Sequence, residues 1–453
     1  MLIGSGYSIH PCAPEYPETN DDDDVNLMKN YCEFEASSIH LICSGGLDDV
    51  WNNGSNIVRI LTLCRLPEES FDPEALLAKF PALKNLSIFE SNLTHLTTAF
   101  PSTAKYLQIL KFNDTKLEDL LEDAFSKLPV LSILDLRNNV LSVINPSGLA
   151  GPSLQSVYLS GNPWKCVFEM SWILNMTDSD SVANRIVDRD KLICSFMKYD
   201  RPLIPVVKII KELREQCLQT ERCSCELSWV GRSPGATQSE LLVFVTVNCS
   251  SRGFTEMPKF LPKYTNILYL SNNKIHDLSP LKINPVYKGV EDLYLDDNEV
   301  ESIDILEGSD WLDQFRALSL RGNRLTNLPA YALENALQQN HGAASVFLGN
   351  NPWRCECRCT PGFQELLKRH TSLFKDMSDI TCAKVENDEN SEKQIIHLTR
   401  TAICTIPTDW IEPLDVLNGI LAFLIFFVFG KLLYDYWTFK KTGQLPWIVA
   451  KIP

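Results

Sequence analysis

Basic residues are in short supply. Lys and Arg number 42 against 57 Asp and Glu, which leaves a net charge of −15. Binding nucleic-acid phosphates needs clustered cations, so that class is excluded. The common catalytic signatures are missing as well. No H-E-x-x-H, G-x-S-x-G, Gly-rich phosphate loop or dinucleotide fingerprint occurs. Only seven histidines are present, and they are dispersed. Asp296, Asp297 and Glu299 lack the glycine and spaced ligands of a calcium loop, and read as a solvated acidic face. The opening stretch, Met1 to His10, is too short and weakly apolar for a secretory core. The chain reads as non-enzymatic, with no cofactor, no small-molecule substrate and no nucleic acid.

Cysteine is abundant by contrast. Fifteen occur, in three groups spanning 12–64, 166–249 and 355–404. Grouped cysteines at segment ends indicate disulfide-stapled caps in an oxidising compartment. Six sequons agree with that compartment: Asn53, Asn85, Asn92, Asn113, Asn175 and Asn248. Cys355, Cys357, Cys359 and His370 have the residue types of a metal cluster, but in this setting they read as disulfide chemistry. At 453 residues, two or three folding units are expected. The acidic run Asp21–Asp24 lies in a Pro-rich leader and reads as solvated chain.

One long apolar run exists, Val416 to Phe429, without a charge. With its flanks, 413–433, it reaches the ~20 residues that span a bilayer. Asp409, Glu412 and Asp415 precede it; Lys431, Lys440, Lys441 and Lys451 follow. The positive-inside bias puts the C-terminus in the cytosol and the bulk outside the plasma membrane. Trp437 and Trp447 suit the interface.

Self-similarity appears at a period near 24. Leu131, Leu134, Leu136, Asn139, Leu141 and Ile144 spell L-x-x-L-x-L-x-x-N-x-L-x-x-I, and starts at 83, 107, 131 and 154 share that template. A degenerate unit at Val58, Leu61 and Leu63 precedes them. A second array runs through Leu268, Val290, Phe315 and Val346. In each unit the L-x-L pair points inward from a short strand and its neighbours point outward. The Asn sits at the following turn, where its amide satisfies backbone groups; Ser91 and Thr115 are weaker substitutes. The expected fold is an α/β-type leucine-rich repeat solenoid, in fact two short solenoids, because Asn-Pro-Trp-x-Cys occurs twice, at 162 and 351. Each proline stops propagation, and Trp164 and Trp353 take the next apolar slot as end caps.

The implied order is a leader and cap (1–56), a first array (57–161), its closing cap (162–222) and an opening cap (223–264). A second array (265–350), a closing cap (351–405), a membrane helix (413–433) and a cytosolic tail (434–453) complete it.

These pieces resemble the flanking caps of extracellular leucine-rich repeat proteins. Their order is similar to that of insect Toll receptors, but only twenty residues follow Leu433, too few for a signalling domain. With C-x-C-x-C at 355–359 and the tail KKTGQLPWIVAKIP, the chain resembles the singed wings/halfway family of insect leucine-rich repeat proteins. The resemblance implies an indirect role in the developmental response to ecdysone, with any signal passed through a co-receptor. It implies Cys166–Cys194, and Cys355 and Cys357 paired with Cys382 and Cys404. Cys223, Cys225 and Cys249 belong to the opening cap, where Cys217 is a further partner. Phe168 stands where the first closing cap would carry its second cysteine, and Cys359 is the odd thiol.

Binding to an extracellular protein is the expected activity, with a shed or secreted matrix protein as the alternative. Outward strand positions of the second array, Tyr269, Asp292, Tyr294, Asp296, Arg321 and Phe347, form the candidate partner face. Glycans at Asn85 and Asn113 would obstruct the corresponding face of the first array.

Overall fold

The computed structural model describes residues 12, 30–177, 180–220, 222–232, 241–386, 388–404 and 413–443. Most of the expected leader, with Asp21–Asp24, lies outside the described residues. So do Asp409, Glu412 and the tail from 444 onward, with Trp447 and Lys451.

Two separate sheets carry the repeats. The first has seven strands, ending with Ile133–Asp135 and Ser156–Tyr158; the second has six, from Ser224–Arg232 to Ser345–Phe347. Each opens with one antiparallel hairpin and continues strictly parallel. Leu134 and Leu136 are fully buried while Ile133 is half-buried on the opposite face, so a strand of three residues suffices to deliver the inward pair.

The ladder asparagines explain the period. The Asn139 amide donates to the carbonyls of Phe112 (2.7 Å) and Leu136 (3.0 Å), one repeat apart, and its oxygen accepts from the Thr115 hydroxyl. Asn298 repeats this on Leu270 (2.9 Å) and Leu295 (3.1 Å), and accepts from Ile275 N–H at 3.0 Å. One buried side chain thus satisfies backbone groups on two successive turns. Just before it the chain adopts a left-handed conformation, at Asn138 (φ 57°), Asn272 (57°) and Asp297 (55°), and at Gly161 (79°) and Gly322 (66°). Asn, Asp and Gly tolerate that region best.

Closure follows one scheme twice. Asn162 and Asn351 hold the ladder position, and Trp164 and Trp353 are buried with indole N–H donating to the carbonyls of Leu159 and Leu348, each at 3.2 Å. Cys166 bonds Cys194 and Cys355 bonds Cys382. The second cap adds Cys357–Cys404. In the first, Arg214 lies over the Phe168 ring at 4.1 Å, so a helix, Leu203–Cys217, is clamped without sulfur. That frees Cys217 to bond Cys225, the second residue of the next sheet's opening strand. Cys223–Cys249, Cys32–Cys43 and Cys12–Cys64 complete seven bridges, and Cys359 is the free cysteine.

Among the described residues a single helix, Pro413–Thr442, is long and apolar enough to cross a membrane, and its apolar side chains are exposed. Lys431 pairs with Asp435 one turn on, and Lys441 sits over the Trp437 ring at 3.8 Å.

Candidate binding face

The outward positions of the second sheet line up because parallel strands keep one register. Ile267, Asp292, Ala317 and Ser345 form one row; Asn248, Tyr269, Tyr294, Ser319 and Phe347 form the next. Tyr269 and Tyr294 stack, with centroids 4.6 Å apart and planes 12° apart. Both rings are half-buried, as is Phe347 two strands further on. Burial, then the negative charge of Asp292 and the neighbouring Tyr269, push the Tyr294 hydroxyl above its ordinary range, so it stays a neutral donor at physiological pH.

The charged members of the expected partner face have partners within the protein. Asp292 is buried and takes both Arg316 nitrogens, at 2.8 and 2.6 Å. Asp296 accepts from the hydroxyls of Ser271 (3.1 Å) and Ser319. Arg321 pairs with Asp379 (2.5 Å), beside Asp376, and ties the sheet to its closing cap. Outward strand positions look alike in sequence whether a side chain meets solvent or a neighbour on the next strand. The uncharged members of that face are the aromatic row, Tyr269, Tyr294 and Phe347.

The sequons also sort differently from the expectation. Asn53, Asn92, Asn175 and Asn248 are exposed, and Asn85 is half-buried between Ile60 and Ile109. Asn113 is 8% exposed, and its amide nitrogen donates to the Asp135 carboxylate at 3.1 Å. The atom that would carry sugar is thus hydrogen-bonded inside the sheet. Asn248, by contrast, is a register partner of Tyr269.

Two carboxylates escaped the sequence reading. Asp188 and Asp376 are buried and accept from the N–H groups just past the last strand of their respective sheets. A signal existed: they follow the two Asn-Pro-Trp motifs at nearly equal spacing, from Asn162 and from Asn351. Among the described residues no cluster of His, Cys, Asp and Glu has the makings of a metal site.

Repeat strands, ladder asparagines and stapled ends define a leucine-rich repeat protein, and the leucine rich repeat family model matches residues 105–163. A second model, the Halfway C-terminal domain, matches 414–451, the apolar helix and the tail. The chain is 34% identical over 427 residues to protein singed wings 2 of Drosophila melanogaster, covering 91% of this chain and 84% of that one. It is 27% identical over 385 residues to protein halfway of the same species, covering 83% of this chain and 60% of halfway. The chain belongs to this singed wings/halfway family. Among solved structures, the Toll–Spatzle complex of Drosophila overlaps with 18% identity and a TM-score of 0.35, covering 77% of this chain and 58% of that one.

Proposed function

We propose that the chain is a non-enzymatic, single-pass glycoprotein of the plasma membrane. In this reading two capped solenoids stand in series outside the cell, and the second binds an extracellular protein or co-receptor. The carrying observation is the stacked Tyr269–Tyr294 pair, half-exposed on an outward row with Phe347 and flanked by Asp292, paired with Arg316, and Asp296, hydrogen-bonded to Ser271. Rigid aromatics of this kind supply most of the energy at protein interfaces, whereas internally paired charges add little. Seven disulfides support an oxidising compartment. Asp415 in the first turn of the apolar helix and Lys431, Lys440 and Lys441 further along it support a cytosolic C-terminus. A role in the developmental response to ecdysone rests on family membership alone.

The test is surface display of the full chain on insect cells. Tyr294→Ala with Phe347→Ala should cut capture of a cross-linkable surface partner by roughly a hundredfold, the loss of two hot-spot aromatics. Surface level, read by biotinylation, should hold. Undiminished capture would place the binding face elsewhere.

A further inference from the structure

The aromatic row ends at a sequon. Asn248 pairs in register with Tyr269 across two parallel strands, and Cys249 N–H donates to the Tyr269 carbonyl at 2.8 Å. Neighbouring strands lie ~4.8 Å apart. The Tyr269–Tyr294 centroids are separated by almost that spacing, with nearly parallel planes. The rings therefore stand upright on the sheet, face to face along the row. One face of Tyr269 covers Tyr294, and the other turns toward the strand that carries Asn248.

Asn248 is exposed, and its oxygen accepts from Ser250 N–H at 2.9 Å, so this turn engages the oxygen and not the amide nitrogen. An N-acetylglucosamine on that nitrogen would start within one strand spacing of a flat, unstacked aromatic face. The C–H groups on one side of a pyranose ring suit the negative face of an aromatic quadrupole. We propose that Asn248 carries an N-linked glycan whose first sugar stacks on the outer face of Tyr269, so that sugar extends the aromatic row.

In the modification the Asn248 nitrogen attacks the anomeric carbon of a lipid-linked oligosaccharide. A nitrogen–carbon bond forms, the carbon–oxygen bond to pyrophosphate breaks, the amide loses one proton and the lipid pyrophosphate departs. Cys249, the middle residue of the sequon, is buried in a bridge to Cys223, so transfer precedes closure of that bridge. The stacked sugar occupies the Asn248 end of the row and leaves Tyr294 and Phe347 to a partner. The inference rests on the extracellular placement above and not on partner binding.

The experiment expresses the full chain in insect cells, measures occupancy of each sequon by peptide mass spectrometry, and follows endoglycosidase release from the folded protein. Sugar at Asn248 should be released roughly tenfold more slowly than at Asn53 and Asn92, since a stacking contact is worth about one decade in an equilibrium. Tyr269→Ala should bring the Asn248 rate up to theirs. Tyr269→Leu, which keeps apolar bulk but loses the flat face, should do the same if the alanine variant does not fold. A bare Asn248 beside occupied Asn53 and Asn92 would overturn this inference alone, as would equal rates or an indifferent Tyr269→Leu. No sugar at any sequon would overturn the extracellular reading with it.

Discussion

Asp188 reaches back along the chain to Leu159: both of its carboxylate oxygens lie 3.0 Å from the Leu159 backbone N–H. One of them also takes the N–H of Ser160 at 2.8 Å. Asp376 does the same for Leu348 (3.0 Å) and Gly349 (2.6 Å). Just past each inner strand the N–H donates to the next repeat, as Leu136 does to the Tyr158 carbonyl at 2.9 Å; past the last strand no repeat offers that acceptor, and a buried orphan donor costs about 1–3 kcal/mol. The cap therefore supplies an acceptor where the next repeat would have been. Asp188→Ala should lower unfolding free energy by about 2–4 kcal/mol, and Asp376→Ala by a similar amount. Asp188→Asn, which keeps one acceptor, should cost less. Urea unfolding of the detergent-solubilised chain reads these shifts. An unchanged midpoint for Asp188→Ala would show that water replaces the carboxylate.

The ladder should be graded in strength. Asn298 links two repeats by donating to two carbonyls and accepting one N–H. Ser91, at the same position of an earlier repeat, donates to Phe89 O (2.7 Å) and accepts from Leu66 N–H (3.1 Å). Asn298→Ala strands more buried backbone, and should cost about 2–4 kcal/mol against about 1 kcal/mol for Ser91→Ala. Equal losses in the two variants would mean that the amide does no more than the hydroxyl.

The bridges make two separable claims. Native alkylation should add one label, at Cys359, because the other fourteen cysteines are paired. Two or more labels would contradict the pairing. Removing Cys357–Cys404, which closes a separation of 47 residues, should cost about 4 kcal/mol by chain entropy. Removing Cys217–Cys225, with a separation of 8, should cost about 2 kcal/mol. The smaller bridge nevertheless joins the first closing cap to the second sheet. Its loss should produce two resolved thermal transitions where the parent shows one. A single transition in Cys217→Ser/Cys225→Ser would show that the noncovalent contacts suffice, including Arg201 to the Val230 carbonyl at 2.6 Å.

How much of this was legible depends on whether a signal is local. The inward leucines and ladder asparagines were readable because each repeat restates them at fixed spacing. Trp164 and Trp353 were readable because a proline beside them breaks that spacing. The ion pairs of Asp292 and Arg321 were not readable, because periodicity assigns a residue to a face and says nothing of its neighbours from other repeats or the cap. Arg316 and Asp379 neutralise them from the next repeat and from the cap, 24 and 58 positions along the chain. The partner of Asn113 was hidden in the same way, since Asp135 lies one repeat further on. Arg214 over Phe168 was unreadable because nothing in sequence announces that a helix folds back onto a missing cysteine.

The second closing cap should be sensitive to acid at one point. Glu334 accepts from Arg369 at 2.7 Å and faces His370 Nε2 at 3.2 Å. Burial alone would raise its pKa, but the hydrogen bonds from Arg369, His370 and Gln338 outweigh that and hold it below the ordinary value of 4.5. A carboxylate whose folded value is depressed stabilises the fold fully above its unfolded value, and that contribution fades as pH falls through the lowered one. Arg369 is half exposed, so solvent screens the pair and the contribution is small. Glu334→Gln should therefore unfold slightly more easily than the parent at pH 7, and the gap should close as pH drops below the carboxylate range. Guanidinium would screen the effect, so urea is the denaturant to use. A gap that stays constant down to strongly acid pH would show that Glu334 stabilises this cap by packing and not by charge.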